Sequence, residues 1–94
     1  MASKSIMQTE RECFLCCKTV NLERHHIFGG VANRKISEQL GLWVYLCHYC
    51  HTGKDGAQYN KFVNLRLKQY AQRAFEQNHT RDEWMNWIGK NYLG

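Results

Sequence analysis

The chain changes period partway along its length. Leu22–Phe28 (LERHHIF) stops at Gly29-Gly30, and Leu42–Leu46 (LWVYL) is rich in aromatic and β-branched residues; both runs predict short strands. A short helix is expected directly after the second run, over Cys47–Thr52, ending near Gly53. From Asn60 to Gln77 the spacing turns helical. Apolar residues at Tyr59, Val63, Leu67, Tyr70 and Ala74 step by three or four, and Phe62, Ala71 and Phe75 widen the stripe. That stripe predicts a helix packed on the first half, with Lys61, Arg66, Lys68 and Arg73 on its solvated flanks. Thr80-Arg81-Asp82-Glu83 is a capping box opening a last helix, in which Trp84, Trp87 and Ile88 are expected packing anchors. Residues 1–11 carry no period and are expected to form a flexible end. The rest, 12–94, reads as one domain: a core over 12–56 and a helical extension over 57–94.

At 94 residues such a domain is small. It buries roughly 60–65% of its unfolded surface, so the core is thin and a staple is expected. No apolar run approaches the roughly 18–20 residues of a membrane span. The polar start, MASKSIMQTE, lacks the apolar stretch of a signal peptide, so the expected location is the cytoplasm. There, disulfides are rare, and the 5 cysteines point to metal or to chemistry. A disulfide-bonded secreted protein is the competing reading. The net charge of +5 favours an anionic partner, most often nucleic acid.

The cysteines sharpen this. Cys13-Phe-Leu-Cys16 and Cys47-His-Tyr-Cys50 are two C-x-x-C units separated by 30 residues. Two residues between thiolates let both sulfurs of a tight turn reach one ion at about 2.3 Å, and two such turns complete a tetrahedral zinc site. Structural zinc adds on the order of 10 kcal/mol in small peptides, which offsets a thin core. A thioredoxin-like redox pair needs a βαβ context that is missing here. Cys13-x3-Cys17 is an alternative pairing, although the matched spacing favours Cys16, and Cys17 sits where such a knuckle often has Gly. Four thiolates and one zinc together remove two charges, lowering +5 to about +3. Basicity is therefore the weaker pointer to nucleic acid.

A site closed by four sulfurs does no chemistry, which turns attention to the histidines. His25 and His26 lie on the first predicted strand, where neighbouring side chains face opposite ways, so they suit two different roles. His51 follows the fourth cysteine, so a metal at Cys50 positions it against that strand.

Cys13-x2-Cys16, then Glu23-Arg24-His25-His26-Ile27, then Leu46-Cys47-x2-Cys50-His51 resemble the ββα-metal motif of HNH endonucleases, especially the small phage-type ones. The resemblance covers Cys13 to about Lys54. It implies a zinc-stapled ββα-metal motif, which the two C-terminal helices read from the apolar spacing complete as an α+β fold. It also implies that His25 and His51 hold a catalytic divalent ion and that His26 is the general base. Two imidazoles suit Zn²⁺, Ni²⁺ or Mn²⁺ by ligand type, with Mg²⁺ admissible if waters and phosphate complete its shell. The chain departs from the family at Leu42, where an Asn is usual; Asn33, in the connecting loop, is the candidate substitute. Asp55, four residues after His51, shares its helix face if the helix passes Gly53; a solvated surface acid is the competing reading.

The implied reaction is hydrolysis of DNA phosphodiesters, leaving 5′-phosphate and 3′-hydroxyl ends. A neutral His with an ordinary pKa near about 6.5 can take a proton from water. Arg24, Arg34, Lys35 and Lys54 are the expected phosphate contacts. DNA is the expected partner. Phage DNA-packaging proteins are a further partner that the resemblance allows, in a bacterial host cell, with no membrane and no small-molecule cofactor. The competing function is a non-catalytic zinc module that binds nucleic acid or a protein.

Overall fold

Strand β1 (Leu22–His26) pairs antiparallel with β2 (Trp43–Cys47), Leu22 opposite Cys47 and His26 opposite Trp43. The computed structural model describes residues 4–53, 56 and 60–94. Within them, α1 (Val31–Leu40), α2 (His48–Thr52), α3 (Lys61–Glu76) and α4 (Arg81–Ile88) complete a small α+β domain. Both strands sit slightly off their expected limits. β1 ends at His26 because Ile27 and Phe28 turn into the core, although the Ile27 N–H still donates to the Leu42 carbonyl at 3.0 Å. β2 begins at Trp43 and takes in Cys47.

The connection between the strands is a helix, not the loop expected around Asn33. Three features build α1. Gly30 enters it at φ 88, a left-handed conformation that favours glycine. Gly41 closes it at φ 75, and the N–H groups of Gly41 and Leu42 both donate to the Ser37 carbonyl, which satisfies the last turn. The third feature is polar: the fully buried residue of α1 is Ser37, whose hydroxyl accepts from the Phe28 N–H and donates to the Phe28 carbonyl, both at 3.1 Å. A helix whose fully buried side chain is a serine, with Ile36 and Leu40 only partly buried and Val31 83% exposed, carries a short apolar line that does not stand out between its glycines.

Residues 4–12 hold no helix or strand, yet they line the edge of β2 that β1 leaves open. The Ile6 N–H donates to the Gly41 carbonyl at 2.9 Å, and the Tyr45 N–H donates to Gln8 Oε1 at 2.6 Å. Ser5 donates to the Trp43 carbonyl, and the Phe14 N–H to the Tyr45 carbonyl. An unpaired strand edge is thereby covered.

Helix α3 is capped by Asn60, whose side chain accepts from the Phe62 and Val63 N–H groups. Its buried positions are Leu67, Ala71, Gln72 and Phe75, with Val63 partly buried. Phe62, expected to widen the stripe, is 83% exposed, Tyr70 is also exposed, and Tyr59 lies outside the described residues. The stripe follows one i, i+4, i+8 line, which is narrower than the sequence pattern. At α4 the capping box forms between Thr80 and Glu83. Trp84 is fully buried against Phe28 and Phe75 and donates its indole N–H to the Lys90 carbonyl at 2.8 Å, whereas Trp87 faces outward. Among the described residues no helix is long and apolar enough to cross a membrane.

A Cβ at position 41 would run into the Lys4 carbonyl oxygen and take a left-handed φ. Gly41→Ala is therefore expected to lower unfolding free energy by about 2 kcal/mol. Gly29→Ala, with nothing within 4 Å of the added carbon, should change it by less than about 0.5 kcal/mol. Denaturant unfolding of the two variants checks this; equal effects would contradict the docking of residues 4–6 on the end of α1.

Candidate metal centre and histidine cluster

Two local structures bring the cysteines together. Residues 13–17 form a tight turn in which the Cys17 N–H donates to the Cys13 carbonyl at 2.8 Å and the Cys13 N–H to the Lys18 carbonyl at 2.7 Å. The other pair sits on the corner where β2 becomes α2, with Cys47 ending the strand and Cys50 in the helix. The sulfurs of Cys13, Cys16, Cys47 and Cys50 all lie within 4.8 Å of one another, and Cys16 and Cys47 approach to 3.6 Å. A tetrahedron of sulfurs about 2.3 Å from a central ion has edges of about 3.8 Å, so the cluster matches a thiolate metal site. Cys17 is exposed and stands apart from the cluster; its φ of 65 explains why a glycine would suit the position.

Burial raises the Cys13 thiol, but backbone N–H groups of Cys47, Cys16 and Leu15 outweigh it and bring the group down to about 7. Burial, followed by the neighbouring thiols, pushes Cys50 well above the ordinary thiol range. One thiolate is accommodated by amides; four in so small a volume require a cation.

The β1 ladder then separates two sets of side chains. Glu23 and His25 occupy one face of the sheet, Arg24 and His26 the other. On the first face His25 lies against His51 of α2, with ring centroids 5.1 Å apart. His25 is only 9% exposed, and its Nε2 is buried with no hydrogen-bond partner among the described residues. Such an orphan costs about 1–3 kcal/mol unless something else binds it. Burial, and then the nearby charges of His51, His26 and Lys68, lower His25 to about 4, so at neutral pH it presents a lone pair rather than a charge. Glu23 fixes the partner ring: its carboxylate takes Nδ1 of His51 at 2.7 Å and Nδ1 of His48 at 2.9 Å. With the proton on Nδ1, Nε2 of His51 is the free donor atom. His25 and His51 are thus the residues that could hold a second ion.

On the other face His26 Nε2 meets Glu38 Oε1 of α1 at 2.6 Å. The same carboxylate receives Arg24 Nη1 at 2.9 and 3.1 Å, and the Arg24 guanidinium stacks over the Trp43 ring at 3.8 Å. Burial raises Glu38, and these bonds from His26 and Arg24 more than offset it, so it stays ionised. Arg24 also lines an open groove of about 490 Å³ with Lys4, Arg11 and Tyr45.

The other expected site residues fall elsewhere. Asn33, Arg34 and Lys35 are exposed on α1, and Asn33 hydrogen-bonds to no histidine among the described residues. α2 stops at Thr52, and Lys54 and Asp55 lie outside the described residues. Sequence reasoning missed both carboxylates. Glu23 was readable, being two residues before His25 on the same strand. Glu38 was not, because the helix that carries it has only a short, partly buried apolar line at Ile36 and Leu40. No family model, curated protein or solved structure matches the chain.

The cluster predicts one tightly held, thiolate-bound ion per chain. Elemental analysis should find it lost from Cys50→Ser and Cys16→Ser but retained in Cys17→Ser, and a strong chelator should lower Tm by tens of degrees. Equal metal content in Cys50→Ser and the wild-type protein would contradict the site.

Proposed function

We propose that this chain is an HNH-type, metal-dependent DNA endonuclease, with zinc in the four-cysteine site. The observation that carries the reading is the apposition of His25 and His51 beside that site, with an unpartnered Nε2 on His25 and a carboxylate holding Nδ1 of His51. Structural thiols alone give no reason for two imidazoles to converge. A divalent ion held by His25 and His51 would supply Lewis acidity at a phosphate oxygen and at the departing 3′ oxygen.

The chain's own groups divide the remaining work. His26 takes the proton of the attacking water. Glu23 keeps His51 in the tautomer that leaves Nε2 free. Lys4, Arg11 and Arg24 form a cationic groove on the His26 side, and Arg34 and Lys35 add exposed charge on α1; these are the proposed phosphate contacts. No helix or dimer seam with base-reading character is evident among the described residues, so the isolated chain is expected to cut with little sequence preference.

Supercoiled plasmid DNA should be nicked or linearised when Mg²⁺, Mn²⁺ or Ni²⁺ is added. His26→Ala should lower the rate by at least about 100-fold with its metal content and circular dichroism unchanged. Equal cleavage by both proteins would remove His26 from the mechanism; salt-sensitive DNA binding without cleavage under any metal would favour a non-catalytic binding module.

A further inference from the structure

The carboxylate of Glu38 sits on a ring nitrogen of His26 and on an arginine at once. We infer that Glu38 is the positioning residue for His26: it holds the proton on Nε2 and leaves Nδ1 as the atom that takes a proton from water. This rests on the nuclease reading for its purpose, but its geometry stands on its own. Glu38 Oε1 lies 2.6 Å from His26 Nε2, at the short limit of an N–H···O bond to a carboxylate. An ionised carboxylate can only accept, so the ring must donate, and a neutral imidazole carries its proton on that nitrogen.

Glu38 is itself held. Arg24 Nη1 reaches both of its oxygens, at 2.9 and 3.1 Å, and the stack of Arg24 on Trp43 fixes the guanidinium. Trp43 is opposite His26 and Arg24 lies two residues before His26 on β1, opposite Tyr45, so all four groups are anchored by the strand pair and one turn of α1. The chain has Leu42 where the resemblance leads one to expect an orienting asparagine, and Leu42 is wholly buried, so it offers nothing to the ring. Glu38 reaches the same ring from a different element.

The step is balanced. As the water oxygen bonds to phosphorus, its proton passes to His26 Nδ1 and the bond to the 3′ oxygen breaks; the leaving oxygen takes a proton from solvent. The imidazolium so formed lies beside an anion, which favours it in the transition state. The His26 and Glu38 side chains are 20% and 28% exposed, so water screens part of this effect. A loss of about 10- to 100-fold is expected on removing the carboxylate, below that of a fully enclosed dyad.

Two measurements on the full, metal-loaded chain test the inference. Long-range ¹H–¹⁵N NMR at about pH 8, where a free histidine is neutral, should show His26 protonated on Nε2, and a mixture of tautomers in Glu38→Leu. Plasmid cleavage should show kcat reduced about 10- to 100-fold in Glu38→Leu with KM within about twofold, and partial recovery in Glu38→Gln, whose amide oxygen still accepts from Nε2–H. A wild-type His26 protonated on Nδ1, or a Glu38→Leu protein with unchanged tautomer and kcat, would overturn it. If the wild-type protein cleaves nothing, the nuclease reading fails while the tautomer experiment still decides the role of Glu38.

Discussion

The arrangement depends on four sulfurs meeting at one point. Cys13 and Cys16 belong to a turn that precedes β1, and Cys47 and Cys50 to the corner between β2 and α2. Without their convergence, α2 would be a helix of 5 residues, far too short to persist on its own. Tied at Cys50, it is held on the sheet, and the neighbouring His51 is brought to His25. Clustered thiols repel one another once ionised, so a cation at the centre would stabilise the cluster as thiolates. A metal bound there would fix the position of His51 as well.

The second constraint is the pleat of β1. Alternation sends Glu23 and His25 to the α2 side and Arg24 and His26 to the α1 side. Each side then has its own carboxylate. Glu23 grips the rings of His51 and His48; Glu38 grips His26 and Arg24. A two-residue sequence, His25-His26, thus acquires one ring buried as a lone-pair donor and one ring oriented by an acid. A shift of register by one residue would exchange the two roles. The core residues that fix the register, Val44 and Leu46 on β2 with Leu67 and Phe75 on α3, contribute to the site without touching a ligand.

Elements that carried a strong period were legible in the sequence. The aromatic second strand, the capping box at Thr80 and the helix begun at Asn60 all lie within a residue or so of where the pattern puts them. The thiol spacing identified Cys13, Cys16, Cys47 and Cys50 because ligand geometry constrains spacing directly. α1 was illegible: its buried contact is the hydroxyl of Ser37, and its ends are glycines whose conformation the sequence shows only as a turn. With α1 went Glu38 and the true setting of Asn33. The docked segment 4–12 was equally hidden, since what holds it is backbone and side-chain hydrogen bonding to β2 rather than apolar burial.

The central claim is that a filled four-sulfur site assembles a second, separate metal site from His25 and His51. Titrating Mn²⁺ into protein whose cysteines already hold their ion, and following free Mn²⁺ by electron paramagnetic resonance, tests it directly. The account predicts one Mn²⁺ bound per wild-type chain, with affinity at least about 10-fold weaker in both His25→Ala and His51→Ala and the sulfur-bound metal unchanged in each. Mn²⁺ bound equally well by those variants, or not bound by the wild-type chain at all, would contradict it.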